Sequence, residues 1–274
     1  MIVQIPPPVS NPPALEYCDA DADGFGVFNL TDSDEVIANG LPNLLISYHE
    51  TQADAENNLF PITGEYDNIV AYQQTIYVRV EDTTITTDCF SYVELLLLVN
   101  DVPQINTEPS SLEVCDDDTD GLGLFDLSLS NEEVLNGLDS SEFTITYYET
   151  PENAENAENP IITPFAYTNV TAFNQTVWVR VENSTTLCYN TSSIELTVNE
   201  LPVLTQPDPL NLCDYNNPGD EVEEFTLEDS IGQVLQGQTG IGITFYETQE
   251  DADNATNPIA VSYTHLTLPT IAGV

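Results

Sequence analysis

The chain has 274 residues, of which 47 are Asp or Glu and only 2 are Lys or Arg, so its formal net charge is −45. Proteins that bind nucleic acids or anionic membrane surfaces contact phosphates through Lys and Arg, so this composition predicts neither partner. Hydrophobic residues make up 41% of the chain, which is enough to form a folded core. No apolar run is long enough for direct insertion into a membrane.

The first hundred residues show the period of two that is typical of β-strands. A short apolar strand at 27–30 precedes a segment, 31–40, whose capping residues suit about two turns of helix. Strand patterns follow at 46–51, 75–81 and 93–99, with apolar side chains at alternate positions. Strands of this length, separated by turns, predict an all-β sandwich of two antiparallel sheets with one or two short helices.

The whole pattern then repeats. The motif Cys-Asp-x-Asp-x-Asp-Gly that begins at Cys18 recurs at Cys115, and Cys213 opens a third copy. The strand Gln74–Glu81 returns as Gln175–Glu182. Each complete copy ends in a short linker that contains Pro. Short linkers of this kind predict that the three repeats form a semi-rigid rod. The predicted boundaries are 1–102, 103–201 and, for a truncated third repeat, 202–260.

The last residues of the chain depart from this pattern. Ser262–Thr270 resembles the translated sequencing-adaptor tail that ends many metagenome-derived reading frames, and it starts where the repeat pattern stops. We therefore predict that residues 261–274 are a non-native tail.

The cysteines indicate the compartment. Each complete repeat has one early and one late Cys, and symmetry predicts disulfides that join Cys18 to Cys89 and Cys115 to Cys188. Each bridge would close a loop of about 70 residues, which removes roughly 4 kcal/mol of entropy from the unfolded chain. Disulfides predict an oxidising, extracellular location. The alternative is reduced, buried Cys in a cytosolic protein; a zinc site is disfavoured because neither CxxC nor His accompanies the thiols.

The acidic loop after the early Cys is a candidate Ca²⁺ site. Asp19, Asp21 and Asp23 stand at alternate positions before a Gly, as do the first ligands of a Ca²⁺ loop. In the second repeat these positions are held by Asp116, Asp118 and Asp120. The bidentate Glu of an EF-hand is missing, so backbone carbonyls, water or another loop would complete the site. The alternative is an acidic turn held by Asx hydrogen bonds without metal.

Both Arg residues occupy the same repeat position, on the strand face that is predicted to point outward. Arg79 and Arg180 each lie beside an aromatic residue, Tyr77 or Trp178. This pattern favours cross-strand ion pairing with a cation–π contact. The alternative is a ligand-binding platform of exposed aromatic and Arg side chains.

The sequence offers no catalytic constellation, and we predict that the chain is not an enzyme. His49 stands where the other repeats have Tyr, and His265 falls in the predicted tail. No catalytic triad, phosphate-binding Gly loop or His cluster can be assembled. Acidic pairs are too abundant in this chain to indicate a glycosidase.

Four motifs and the second Cys recur along the chain and together cover residues 5 to about 259. The motifs are Cys-Asp-x-Asp-x-Asp-Gly, Phe-[Asn/Asp]-Leu, Tyr-[His/Tyr]-Glu-Thr and Gln-Thr-[Ile/Val]-[Tyr/Trp]-Val-Arg-Val-Glu. With them the chain resembles the tandem Ig-like repeats of large, secreted, adhesin-like surface proteins that gliding, outer-membraned bacteria export through the type IX secretion system. The resemblance implies Ig-like β-sandwiches in an extracellular stalk or adhesive array, with neighbouring repeats of the same long chain as partners. It does not imply a ligand.

We therefore expect a non-enzymatic stalk or adhesive array, stabilised by disulfides and Ca²⁺, whose surface ligand is a glycan or a protein. The alternative is a glycan-binding accessory module of a secreted polysaccharide-degrading enzyme, which would use Tyr77 and Trp178. Rings side by side on an open sheet face would favour the second hypothesis, and packed rings the first.

Overall fold

The computed structural model describes residues 4–85, 89–259 and, for the backbone alone, 262–265. The chain divides into two compact units, one made of residues 1–114 and 120–199 and the other of residues 115–119 and 200–274. The first unit contains most of the first and second repeats. Among the described residues, every helix is too short or too polar to cross a lipid bilayer.

In its described residues, the first repeat contains two sheets, two short α-helices and a 3₁₀ helix, Leu30–Ser33. In chain order its elements are β1 (Leu15–Asp19), β2 (Val27–Phe28), α1 (Asp34–Ala38), β3 (Leu44–His49), α2 (Gln52–Asn57), β4 (Tyr66–Asp67), β5 (Gln73–Asp82) and β6 (Phe90–Asp101). The larger sheet has the order β1-β6-β5-β3, and β2 pairs with β4 in the smaller one. Strand β1 runs parallel to β6, whereas the other neighbours are antiparallel. The ends of β1 and β6 therefore lie together where the chain leaves the repeat.

The second repeat has the same topology. Its elements are β7 (Leu112–Cys115), β8 (Leu124–Phe125), α3 (Asn131–Leu135), β9 (Phe143–Tyr148), α4 (Pro151–Asn156), β10 (Tyr167–Thr168), β11 (Asn174–Asn183) and β12 (Tyr189–Asn199). The larger sheet has the order β7-β12-β11-β9, and β8 pairs with β10. The predicted all-β fold of tandem Ig-like sandwiches with short helices is confirmed.

Within the described residues, the third repeat contains two strands, two α-helices and a 3₁₀ helix, Leu227–Ser230, which precedes the first of the α-helices. The strands and α-helices are β13 (Glu223–Thr226), α5 (Ile231–Leu235), α6 (Gln249–Asp253) and β14 (Ser262–His265). Phe225 of β13 lies opposite Tyr263 of β14, as Phe28 lies opposite Tyr66 in the first repeat. Strand β14 thus lies beyond residue 260, the predicted end of the third repeat. The boundary at 260 and the non-native tail stay predictions. The rest of the predicted tail, 266–274, lies outside the described residues.

The predicted alternation in β5 places one face in the core. Ile76, Val78 and Val80 are fully buried, and they pack with Leu95 and Leu97 of the neighbouring strand β6. Burial of each such side chain contributes roughly 1.5–3 kcal/mol, so this face stabilises the sandwich.

The other face of β5 is covered by helix α2, so the prediction of an outward-facing Arg is wrong. Arg79 is 2% exposed, and its Nη1 donates to the carbonyl oxygens of Ala55 and Glu56 in the last turn of α2. The guanidinium carbon lies 3.6 Å from the ring centroid of Phe90, and Nε donates to Glu81. The ion pair therefore lies within one strand. Equivalent contacts in the second repeat join Arg180 to Ala154, Glu155, Tyr189 and Glu182.

Candidate functional site

A disulfide joins the first repeat to the second. Cys18 lies near the end of β1, Cys188 lies just before β12, and their α-carbons are 5.4 Å apart. That distance is within the range of protein disulfides. Because the two residues are 170 positions apart in the chain, the bond crosses from one repeat into the next.

The predicted bonds within repeats are therefore wrong. Strand β1 pairs in parallel with β6, which places Cys18 opposite Asn100. Asn100 is 11 residues beyond Cys89 (100 − 89), or about 36 Å along an extended strand. The early and late Cys of one repeat thus lie at opposite ends of its sheet. Repeat symmetry is equally satisfied when the early Cys of one repeat bonds to the late Cys of the next.

The other cysteines lie outside this bond. Cys115, at the end of β7, and Cys213 have exposed thiols. Cys89 is half-buried, and its thiol lies 3.9 Å from the carbonyl oxygen of Gln4. Cys188 has the equivalent neighbour, since its sulfur lies 3.7 Å from the carbonyl oxygen of Asn100.

A tight turn between β11 and β12 fixes the position of Cys188. The side-chain oxygen of Asn183 accepts hydrogen bonds from the amides of Thr185 and Thr186, and the Asn183 amide donates to the Cys188 carbonyl at 2.9 Å. Asn favours such turns because its side chain accepts from amides two and three residues ahead. The fully buried Cys188 is thus presented to the end of the preceding repeat.

The linker between the two repeats is attached at both ends. The Val102 amide donates to the carbonyl of Asp19 in the first repeat at 2.9 Å. The Asn190 side chain of the second repeat donates to the carbonyl of Pro103 at 3.1 Å. Ile105 is buried in the core of the second repeat. The disulfide therefore reinforces a linker that is already docked.

Asp19 is the buried anchor of the first acidic loop. One of its carboxylate oxygens accepts hydrogen bonds from the amides of Asp21 and Ala22, and the other accepts from the Gly24 amide at 2.8 Å. Burial by itself would raise the pKa of Asp19, but these amide donors hold it below its usual value. The loop is thus an Asx-type turn that its own backbone stabilises.

The structure brings both predicted sets of Ca²⁺ ligands together. Asp19, Asp21 and Asp23 each place one oxygen within 4.8 Å of the others. The hydrogen bond with Asp19 and the charge of Asp23 raise the pKa of Asp21. The second repeat groups Asp116, Asp118 and Asp120 in the same way. Calcium binding itself stays a prediction.

Sequence reasoning missed the Asn that holds the acidic loop against the sheet. Asn68 is 3% exposed; its oxygen accepts from the Gly26 amide, and its nitrogen donates to the carbonyls of Gly24 and Val70. Asn169 makes the equivalent contacts in the second repeat. The signal was present, because an Asn follows the β4 or β10 Tyr by two residues in both complete repeats.

Close packing at Gly24 completes the loop. Its φ is +81°, and an added Cβ would lie 3.0 Å from both the Ala71 side chain and the Tyr72 ring. Gly24 therefore provides both the left-handed backbone and the space for the neighbouring aromatic ring. Gly121 has the same surroundings in the second repeat.

The two aromatic residues of the glycan-binding alternative do not form an open platform. Tyr77 and Trp178 are both half-buried and belong to different repeats. Among the described residues, the ring pair in contact is Tyr17 with Phe28. The arrangement that would favour glycan binding through Tyr77 and Trp178 is thus not seen in this part of the chain.

The inter-repeat disulfide and the threefold pattern agree with one known family. Residues 14–103, 111–202 and 209–271 match the model of the Flavobacterium inter-domain disulphide bond domain, or FIDD. The chain belongs to this family. The third FIDD match includes β14 and extends into the predicted tail.

Other comparisons give only distant likenesses. No curated protein matches the chain. A structure of titin domains I67–I69, an E-to-A mutated variant, is 11% identical with a TM-score of 0.27, and the match covers 81% of this chain and 75% of that one. Drosophila N-cadherin EC1–3 is 10% identical with a TM-score of 0.24, and the match covers 58% and 57%. A SusE-like surface located polysaccharide binding protein from Bacteroides thetaiotaomicron is 12% identical with a TM-score of 0.25, and the match covers 72% and 34%. At these TM-scores, none of the likenesses bears on function.

Proposed function

We propose that this FIDD chain is part of an extracellular, non-enzymatic array in which disulfides lock successive repeats together. The observation that carries the proposal is the bond between Cys18 and Cys188, which joins two repeats across a docked linker. Disulfides persist in oxidising compartments, which supports a location at the cell surface. The net charge of −45 favours an extended array, because the repeats repel one another.

In this proposal the early Cys of each repeat bonds to the late Cys of the next. Cys115 is exposed at the end of β7, the strand equivalent to β1, and would bond to the late Cys of the following repeat. The two thiols would exchange with an oxidised dithiol–disulfide protein, which accepts their two electrons and two protons as it is reduced. Because each early Cys bonds to the repeat that follows it, the disulfides would connect all successive repeats. We call this series of inter-repeat disulfides a covalent ladder.

A ladder of this kind suits a stalk or an adhesive array at the cell surface. Docked linkers and disulfides limit bending between repeats, so that the array holds a distal ligand-binding region away from the membrane. The type IX secretion route follows only from the resemblance of the motifs, which implies no ligand. That the surface ligand is a glycan or a protein stays part of the proposal. The second candidate, an accessory module of a polysaccharide-degrading enzyme, would use the same ladder as a spacer.

Peptide mapping under non-reducing conditions tests the array. Oxidised full-length protein should yield a Cys18 peptide linked to a Cys188 peptide.

Hydrogen exchange tests whether this bond stabilises the linker. In Cys188→Ser, the Val102 and Asn106 amides of the linker should exchange hydrogen at least about tenfold faster, because the covalent bond no longer opposes local opening. The control Cys213→Ser also removes a thiol and should leave these amides unchanged. A Cys18–Cys89 link, or linker protection that is equal in both variants, would contradict the proposal.

We further propose that the acidic loops of the first and second repeats bind Ca²⁺. The crowding that raises the pKa of Asp21 supports this proposal, because a cation held between the carboxylates relieves their repulsion. A ligand present at a hundredfold excess over its Kd stabilises the folded state by about 2.7 kcal/mol. At matched ionic strength, Ca²⁺ should raise the Tm more than Na⁺ does, and Asp21→Asn should weaken this effect more than the exposed control Glu35→Gln. An equal response to both ions would exclude calcium.

A further inference from the structure

The first repeat has an open groove of about 550 Å³ between the end of β3, helix α2 and strand β4. Its lining combines carboxylates with exposed apolar groups: Glu50, Asp54, Glu65, Asp67, Phe60 and Ile69. Phe60 is 81% exposed, which is unusual for so large an apolar side chain. None of its lining residues belongs to the linker or to the disulfide, so the proposed ladder does not account for the groove.

The backbone at Phe60 does not require an aromatic residue. Its φ is +48°, and the equivalent positions in the other repeats, Asn159 and Asn257, have φ of +51° and +52°. Asn tolerates this left-handed conformation, whereas a bulky side chain there is a rare outlier. The repeat scaffold therefore favours Asn, and Phe60 is a departure specific to the first repeat.

The combination of four carboxylates is found in the first repeat alone, because the third repeat keeps only two of them, with Glu247 and Asp251 at the positions of Glu50 and Asp54. Glu50 has a counterpart in the second repeat, Glu149, but the other three carboxylates do not. Asn153, Ala166 and Thr168 stand at the positions of Asp54, Glu65 and Asp67. The second repeat thus carries one of these carboxylates on the same scaffold, whereas the first repeat carries all four beside an exposed aromatic ring.

The lining limits the chemistry of a ligand. Its side-chain donors are the hydroxyls of Thr63 and Tyr66, and Tyr66 already donates to Glu50. A glycan presents donors and acceptors together, and these two hydroxyls are few donors for its acceptors. A guanidinium or ammonium group presents donors alone, which carboxylates accept in strong, charge-assisted hydrogen bonds.

The chain itself shows how it binds a guanidinium group. Arg79 lies 3.6 Å from the ring centroid of Phe90 and donates to Glu81, and Arg180 lies 3.2 Å from that of Tyr189. Each Arg thus combines an aromatic ring with a carboxylate, an arrangement that suits its planar, delocalised charge. The groove presents the same two groups, the Phe60 ring and carboxylates, at the surface.

We propose that this groove binds an Arg- or Lys-bearing segment of a partner protein. The cation stacks on Phe60 while the carboxylates accept its N–H groups. A second copy of this chain does not supply the cation, because its 2 basic residues, Arg79 and Arg180, are buried within their own repeats. The partner is therefore a protein of different composition, recognised at the first repeat of this chain.

Calorimetric titration of the full chain with the peptide acetyl-Gly-Ser-Arg-Gly-Ser-Arg-Gly-amide tests the proposal. The same peptide with citrulline in place of Arg keeps the shape of the side chain and removes the charge. The groove variant Asp54→Asn, Phe60→Asn, Glu65→Ala, Asp67→Thr takes its residues from the second repeat, so they suit the scaffold. The control variant Glu132→Gln, Glu142→Gln, Glu158→Gln removes the same number of charges from exposed sites of the second repeat. Circular dichroism melting verifies that both variants fold.

The Arg peptide should bind the native chain, and the groove variant should bind it at least about tenfold more weakly, a loss of about 1.4 kcal/mol. The control variant should bind about as well as the native chain, and the citrulline peptide should not bind. Equal weakening in both variants would show that the general negative potential attracts the peptide, and would overturn the proposal. Failure of the native chain to bind, or a neutral β-glucan that binds in its place and depends on Phe60, would also overturn it.

Discussion

Hydrogen bonds with individual polar side chains hold the acidic loops in place, in addition to the close packing at Gly24. Asn68 makes three hydrogen bonds to the backbone of Gly24, Gly26 and Val70. Buried polar groups of the backbone require such partners, because water does not reach them. The loop conformation therefore depends on one amide that lies far away in the sequence.

We expect Asn68→Ala to lower the free energy of unfolding of the first unit by about 3 kcal/mol. The substitution leaves buried backbone groups without partners, each at a cost of roughly 1–3 kcal/mol. The exposed Asn29→Ala is the matched control and should change stability by less than about 1 kcal/mol. Urea unfolding of both variants measures the difference, and equal midpoints would contradict this account of the loop.

Substitution of two carboxylates in the same loop should change the Tm in opposite directions. The pKa of Asp19 is lowered in the folded chain, so its stabilising effect is present above the usual Asp value of 3.8 and is lost as the pH falls through the lowered value. The pKa of Asp21 is raised, so its ionisation destabilises the fold at neutral pH.

At pH 7, Asp19→Asn should lower the Tm and Asp21→Asn should raise it. On acidification below about pH 4, the native chain should lose stability, and Asp19→Asn should lose less, because the titrating group is gone. Thermal melts from pH 7 to pH 3 measure both effects. Shifts of the same sign at pH 7 would show that the two carboxylates do not play these distinct roles.

At the scale of elements, each complete repeat fixes a short helix to its sheet through one Arg. Helices of this length are not stable alone in water, and the last carbonyls of a helix need external donors. Arg79 donates to two such carbonyls of α2 while its charge faces Glu81 and Phe90. The chain has 2 residues of the Lys or Arg type, and both hold a helix against its sheet in this way.

Arg79→Met should destabilise the first unit by about 3 kcal/mol, since it keeps the apolar stem but removes the buried donors. The amides of α2 should exchange hydrogen much faster, whereas those of α4 in the second repeat should be unchanged. Glu56→Gln is the control, because the contact uses the backbone carbonyl of Glu56 and not its side chain. Unaltered exchange in α2 would show that the helix does not depend on this Arg.

At the scale of the whole molecule, the net charge of −45 opposes folding, because the carboxylates repel one another. Raising NaCl from about 10 mM to about 300 mM shortens the screening length from about 30 Å to less than 8 Å. We expect the Tm to rise by several degrees over this range, because self-repulsion is screened. A Tm that falls with salt would contradict this account, because it would show that attraction within ion pairs outweighs the repulsion between carboxylates.

Much of the fold could be predicted from the sequence because it depends on local periodicity. The alternation in β5 and β6, the short capped helices and the repeated motifs all reflect which side chains face the core, and the structure places them accordingly. The acidic sets were also predictable, because their members are close in sequence. The groove at Phe60 was not, since it combines residues from β3, α2 and β4 that no motif connects.

The sequence by itself determined the three repeats, the β-sandwich and which cysteines and carboxylates occupy equivalent positions. Only the tertiary structure decided that Cys18 bonds to Cys188 rather than Cys89. The two pairings have the same repeat symmetry, so no count of residues distinguishes them. The parallel pairing of β1 with β6 does, because it places Cys18 beside Asn100 and far from Cys89. Strand direction is a long-range property, set by how the sheet packs rather than by the residues along one strand.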